Sequence, residues 1–203
     1  MLYALVRIII WGCVFAVAYY QIIKKSKIIK KRRVAILSFV LCLLLCSLTG
    51  YLPVENLFIS FKTPESVLWY FNDSKVDDVV HGNDSSMVIL SNKRNSSTGH
   101  LIVPRSPKGY KIPSIHSTRR ILRKSSYIAR FDVYSVIGTD DYYIIGHLFS
   151  EEDEVTISDT NGTVRYIADR IGDIYSVRFF GYIESFTYDY YLLINGEKVD
   201  MHG

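Results

Sequence analysis

Five histidines are the side chains best suited to metal or acid–base work: His81, His100, His116, His147 and His202. Their spacing matches no metal-ligand pattern. There is no H-E-x-x-H, and the three cysteines, Cys13, Cys42 and Cys46, all lie in the first quarter of the chain, away from all five histidines. Exposed or strand-face imidazoles are the expectation, with no metal and no cofactor. Covalent catalysis finds equally little, since no G-x-S-x-G elbow, phosphate-binding glycine loop or G-x-G-x-x-G occurs. The acids Glu151-Glu152-Asp153-Glu154 cannot all point inward and read as a solvated loop. Asp77-Asp78 and Asp140-Asp141 are adjacent pairs, whose side chains face opposite ways on a strand, so they suggest no glycosidase pair. No catalytic residue is assigned, and a non-enzymatic role is expected.

Charge is distributed more tellingly. Between Asp84 and Asp132 there is no acid, while Lys93, Arg94, Arg105, Lys108, Lys111, Arg119, Arg120, Arg123, Lys124 and Arg130 are all basic. From Asp132 onward the balance reverses to fourteen acids against four bases. Such a split predicts a dipolar surface. Lys108, Lys111, Arg119, Arg120, Arg123 and Lys124 are the candidate residues for docking on an anionic lipid or a cell-wall polymer. The alternative is that basic strands pair with acidic ones inside the fold. Sixteen tyrosines offer a second candidate, an aromatic face around Tyr142, Tyr143, Tyr188, Tyr190 and Tyr191, although tyrosine also favours strands in general.

The elements that would hold these residues divide the chain at residue 53. Leu2–Ile23 and Val34–Leu52 are apolar, and the linker 24–33 carries Lys24, Lys25, Lys27, Lys30, Lys31, Arg32 and Arg33 without an acid. Spanning a bilayer takes about 20 apolar residues, and basic loops stay cytoplasmic. Residues 1–53 therefore read as a two-helix transmembrane hairpin, with the seven linker cations fixing its orientation and both termini outside the cell membrane. Neither apolar stretch carries a clear cleavage site. Arg7 reads as an interfacial anchor. Ser38, Cys42, Cys46 and Gly50 form an i, i+4 ridge of small residues, and Gly12 and Ala16 offer a matching one for helix packing. Removing Arg7 and the linker cations leaves residues 54–203 acidic by four charges, so the overall +4 and the isoelectric point near 8.8 do not indicate nucleic-acid binding.

Residues 54–203 contain no cysteine, which favours a bacterial protein. Asn72, Asn83, Asn95 and Asn161 begin N-x-S/T sequons that read as turn chemistry. TPESVLWYFND predicts a helix, with Thr63 as N-cap and Pro64 at the first helical position. After Val76 about ten runs rich in Val, Ile, Tyr and Phe predict strands. Asn-Gly turns at 161–162 and 195–196 predict hairpins. Along 127–136 the alternation sets Tyr127, Ala129, Phe131, Val133 and Ser135 on one face, opposite Ile128, Arg130, Asp132, Tyr134 and Val136. The fold expected is α+β or mainly β, an antiparallel sandwich with one leading helix.

FKTPESVLWYFN, VVHGNDSSMVILSN and SPKGYKIP resemble the opening of small membrane-anchored proteins of Gram-positive bacteria, whose outer domains begin with an S/T-P-E helix, a G-x-D-S turn and a G-W/Y-K strand. The closing YYLLINGEKVD is similar to the strand–NG–strand ending of such domains. The resemblance implies membrane anchoring and an envelope location, and it carries no catalytic residue. The expected role is interaction or sensing, with envelope polymer, anionic lipid or another membrane protein as partner. The alternatives are an envelope-acting hydrolase and a structural subunit of a membrane complex.

Overall fold

A computed structural model describes residues 2–24, 31–48, 53–71, 74–90, 99–125, 129–151, 155–171 and 174–201. Three helices come first: α1 (Leu2–Ala18), continued by a π-helical turn at Tyr19–Lys24, then α2 (Lys31–Leu48) and α3 (Pro64–Phe71). Twelve strands follow: β1 (Val76–His81), β2 (Ser85–Leu90), β3 (Gly99–Ser106), β4 (Gly109–Tyr110), β5 (Thr118–Ser125), β6 (Ala129–Val136), β7 (Tyr142–Ser150), β8 (Ile157–Asp159), β9 (Arg165–Ile171), β10 (Ile174–Ile183), β11 (Tyr191–Ile194) and β12 (Glu197–Asp200).

The N-terminal helices correct the membrane expectation. Among the described residues no helix is long and apolar enough to cross a membrane. The α-helical part of the first apolar stretch, α1, 17 residues or about 26 Å at 1.5 Å per residue, falls short of a hydrocarbon core about 30 Å thick, and its continuation leaves α-helical geometry at Tyr19 and ends on the charged Lys24. The 18 residues of α2 include Lys31, Arg32 and Arg33 in the first turn, which leaves too short an apolar remainder. The two-span hairpin and the cell-membrane location with both termini outside are therefore overturned. Arg7 is no interfacial anchor either. It is 4% exposed and forms a two-pronged ion pair with the fully buried Glu55, at 2.7 Å from Nε to Oε1 and 3.1 Å from Nη2 to Oε2.

Of the linker cations, Lys24 lies over the Tyr20 ring, and Lys25, Lys27 and Lys30 fall outside the described residues. The helix pair meets through the Phe15 and Phe39 rings, 5.4 Å apart. Ser38, Cys42 and Cys46 are half-buried, whereas Ala16 is exposed and a Cβ built on Gly12 would touch nothing within 4 Å. Gly50 lies outside the described residues. Ile8, Val17, Leu37 and Leu41 remain exposed on the pair.

The strands form three antiparallel sheets instead of two: β1-β2-β3-β4, β5-β6-β7-β10-β9 and β12-β11-β8. The five-stranded sheet is central and buried on both faces, which explains why YYIIGHLF and VRFFGYI are nearly continuous apolar runs. Phe131, Val133, Ile144 and Phe179 point to one side, against Ile157, Leu192 and Ile194 of the three-stranded sheet. Val136, Tyr143, Ile145 and Phe180 point to the other, against Val80, Met87, Ile89 and Ile102 of the four-stranded sheet. The far face of that sheet, with Val88 and Val103, is covered by Val67, Leu68 and Tyr70 of α3. Alternation at Ile144/Ile145 and Phe179/Phe180 thus feeds two cores at once. Thr63 starts α3, its hydroxyl accepting from the Ser66 amide at 3.3 Å.

At Gly146 the space for a side chain is already taken by a neighbouring ring. Gly146 of β7 lies over the Phe179 ring, which a Cβ there would overlap. Gly146→Ala should therefore destabilise the chain by about 1–3 kcal/mol through overpacking. Chemical denaturation reads it, and a neutral result would mean that Phe179 moves freely.

The two Asn-Gly sequences behave differently. Asn195 and Gly196 both take positive φ, 51° and 82°, in the tight β11–β12 hairpin. Asn161-Gly162 makes no hairpin. It carries the chain from β8, which pairs with β11, to β9, which pairs with β10. The cause is Asp159, whose carboxylate accepts the amides of Thr163 at 2.6 Å and Val164 at 3.0 Å and bends the chain into the central sheet.

Candidate functional site

The side chains with chemistry gather where the central sheet is left uncovered by β3. On β6, Arg130, Asp132 and Tyr134 share the face opposite Phe131 and Val133. Cross-strand register places Arg123 beside Asp132 and Arg120 beside Tyr134 from β5, and His147 of β7 beside Arg130. His100 reaches in from β3, its ring 5.2 Å from that of Tyr134. Of these, His100, Arg130, Asp132, Tyr134 and His147 line a cavity of about 340 Å³, with Gly146 and Ile145 at its base. A second hollow of about 270 Å³ lies on the other side of His100, among Ile102, Pro113, Ile115 and Thr118.

Electrostatics are weighted toward anions. Arg123 Nε lies 3.2 Å from Asp132 Oδ1 and Arg120 Nη1 3.8 Å from the same atom. Both guanidinium groups are about half exposed, so these pairs are loose. Arg130 has no ion pair among the described residues and faces solvent. Two cations thus flank a single carboxylate, and Arg130 lies two residues before it on the same strand. Burial holds the His100 imidazole below its ordinary value, opposed in part by Asp132. Burial likewise lowers His147, helped by the Arg178 guanidinium. His147 Nε2 sits 2.9 Å from Ser176 Oγ, and Arg178 is held by Asp77 at 3.3 Å. Both shifts favour the neutral imidazole, which provides hydrogen-bonding ring nitrogens beside Arg130.

The basic residues proposed from the sequence are only partly brought together. Arg120 and Arg123 pair with Asp132, which lines the cavity, and do not line it themselves. Arg119 is exposed on the same strand, and Lys124 is half-buried opposite the core residue Phe131. Lys108 is exposed in the β3–β4 turn. Lys111 is a fastener, its amine donating to the carbonyls of Asn56 at 2.8 Å and Ile59 at 3.1 Å. His100, Asp132, Tyr134 and His147 were missed as a group. The alternation that places Arg130, Asp132 and Tyr134 on one face was the available signal.

The tyrosine candidates do not form one face. Tyr143 and Tyr190 are buried, Tyr142 and Tyr191 half-buried, and Tyr188 alone is exposed. Glu151 is exposed, and residues 152–154 fall outside the described part. Among the described residues no three His, Cys, Asp or Glu side chains gather as metal ligands. Comparison with protein-family models, with curated proteins and with solved structures gave no match.

Proposed function

We propose that the chain is a non-enzymatic binding domain that takes an anionic ligand in the groove between β3 and β5–β6. The observation that carries this reading is an open cavity lined by Arg130 and Asp132, with Arg120 and Arg123 paired loosely to the Asp132 carboxylate from β5. A guanidinium presents paired N–H donors to carboxylate or phosphate oxygens, so an incoming anion can displace Asp132 from its loose partners and recruit Arg130 as well. Anionic lipid head groups and acidic envelope polymers both offer such oxygens.

Binding should strengthen in acid. The histidine pKa values are lowered in the free protein by burial, so both rings take up their protons at a lower pH than an ordinary histidine. An anion in the groove favours the charged rings, so its binding takes up protons. The full chain, titrated calorimetrically with sulfate, whose charge does not change over this range, is expected to bind more tightly at pH 5.5 than at pH 7.5. Arg130→Gln should weaken binding about fivefold, the equivalent of about 1 kcal/mol for one well-placed charge. Vesicles containing an anionic lipid should retain the chain where neutral vesicles do not. Equal retention on both, with no effect of Arg130→Gln, would refute the reading.

Two imidazoles and a carboxylate on one cavity also suit general acid–base chemistry, which keeps a hydrolase as the second reading. Turnover of a phosphodiester or glycoside probe that disappears in His100→Asn and His147→Asn would favour it.

A further inference from the structure

The two charged side chains that line the cavity differ in what they lack. Arg130 and Asp132 share one face of β6, about 7 Å apart along the strand. Arg130 is exposed and has no ion pair among the described residues, so its guanidinium calls for an anion. Asp132 is in the reverse state. Arg123 and Arg120, at 3.2 Å and 3.8 Å, already meet its charge, yet its Oδ1 accepts no hydrogen bond among the described residues. Such a carboxylate calls for a donor, and a neutral hydroxyl serves better than an ammonium, which would be brought beside two guanidinium groups. His100, Tyr134 and His147 stand around this pair. Each neutral imidazole can donate at one nitrogen and accept at the other, and His147 is oriented by its Nε2 on Ser176 Oγ, 2.9 Å away. The Tyr134 ring offers a π-system to the weakly positive C–H face of a sugar. At about 340 Å³ the cavity lies near the lower end of small-molecule sites, room for one ring rather than a chain of them.

From this pairing of an unmet cation with an unmet acceptor we infer that the occupant is a sugar acid, one ring whose carboxylate sits on Arg130 and whose hydroxyls donate to Asp132. The inference rests on the anion-binding reading and narrows its ligand class, because the anion must carry hydroxyl groups on the same small frame. A hydroxyl is donor and acceptor at once, so it can give its proton to Asp132 and receive one from an imidazole N–H. A bare inorganic anion leaves Asp132 unsatisfied, and a neutral sugar leaves Arg130 unsatisfied. Selectivity therefore comes from two contacts that neither kind of ligand makes together.

The test titrates the full chain at pH 7.5 with glucuronate, cyclohexanecarboxylate, glucose, sulfate and glycerol 1-phosphate. Cyclohexanecarboxylate keeps the ring and the charge without the hydroxyls, and glucose keeps the hydroxyls without the charge. Glucuronate should bind at least about tenfold tighter than either, the factor that one hydrogen bond to a charged group supplies. Asp132→Asn preserves the shape of the side chain and separates its two roles. Sulfate should bind the variant more tightly, since a competing carboxylate is gone, while most of the preference for glucuronate over cyclohexanecarboxylate should disappear. Circular dichroism checks that the variant folds, and the comparison of ligands on the native chain does not depend on it. Equal binding of glucuronate and cyclohexanecarboxylate, with sulfate still bound, would overturn the sugar acid while the anion site stands. An unchanged preference in Asp132→Asn would overturn it as well. Tighter binding of glycerol 1-phosphate than of glucuronate would overturn it in favour of a polyol phosphate, the chemistry of a lipid head group. If glucose binds as tightly as glucuronate, or if no anion binds, the anion-binding reading itself fails, and the inference with it.

Discussion

Arg7→Ala is expected to lower the unfolding free energy by about 3–5 kcal/mol, the largest single loss at the N-terminal side of the molecule. The residue is 4% exposed and Glu55 is fully buried, so alanine at position 7 would leave a carboxylate in the interior without its counter-ion. Both prongs of the pair have good geometry, and the guanidinium also lies 4.4 Å from the centre of the Tyr3 ring. Glu55 belongs to a one-turn 3₁₀ helix, Val54–Leu57, whose next residue, Asn56, exchanges two hydrogen bonds with the backbone of Ile112, each 2.8 Å. The pair therefore fastens α1 to the strand region through a segment itself fastened twice. Forming the pair required desolvating both ions. The double variant Arg7→Met/Glu55→Leu should accordingly recover most of the loss, because it removes both charges and fills the space. Urea denaturation followed by circular dichroism measures both variants. A loss below about 1 kcal/mol for Arg7→Ala would place the pair with ordinary surface ion pairs.

Local rules in the sequence carried far in this chain, and they stopped where partners are distant. Thr63 as a cap, Asn195-Gly196 as a hairpin and the two-faced pattern of β6 all depend on neighbours within a few residues. The long apolar runs did not say where their helices end. Val34–Leu52 looked like a span in isolation, but the helix begins at Lys31, inside the basic segment, and ends at Leu48. Arg7 looked like an anchor because its partner lies 48 residues away. Asn161-Gly162 was misread for the same reason, since Asp159 and the pairing of β8 with β11 decide its path.

The charge split illustrates both halves of the lesson. Its presence was plain from composition, but its destination depended on register. Arg120 and Arg123 of the basic segment meet Asp132 at the start of the acidic one. In the reverse sense, Arg165 and Arg178 from the acidic segment pair with Asp78 and Asp77 of β1. Opposite charges thus stitch β5 to β6 and β1 to β9 and β10, and Arg130 is left facing the cavity. Only the pairing of strands could show that this residue, rather than Lys111, stands at the site.

Asp141→Ala should cost about 3–5 kcal/mol and shift an alkaline transition at the same time. The Asp141 carboxylate is 1% exposed and accepts from the Asn83 amide at 3.1 Å, the Asp84 amide at 2.9 Å, the Ser85 hydroxyl and the Tyr182 hydroxyl at 3.2 Å. It ties the β1–β2 turn to the start of β7, and each buried donor left without an acceptor costs about 1–3 kcal/mol. Asp141→Asn, which keeps one acceptor oxygen, should lose less. The phenols give an independent readout. Burial and the neighbouring Asp141 charge push Tyr182 up to about 12, and burial raises Tyr143 and Tyr190 as well, the latter beside Asp159. A phenol whose pKa is raised by folding contributes stability that is intact below the unfolded value near 10 and is lost as pH rises through the folded value. Thermal stability of the native chain should therefore hold to about pH 10 and fall steeply toward pH 12, in step with tyrosinate absorbance. Removing the Asp141 charge takes away one of the two largest causes of the Tyr182 shift, so in Asp141→Ala the Tyr182 ring, followed by NMR, should ionise at lower pH. An unchanged titration beside a destabilised fold would mean that burial alone holds Tyr182 neutral.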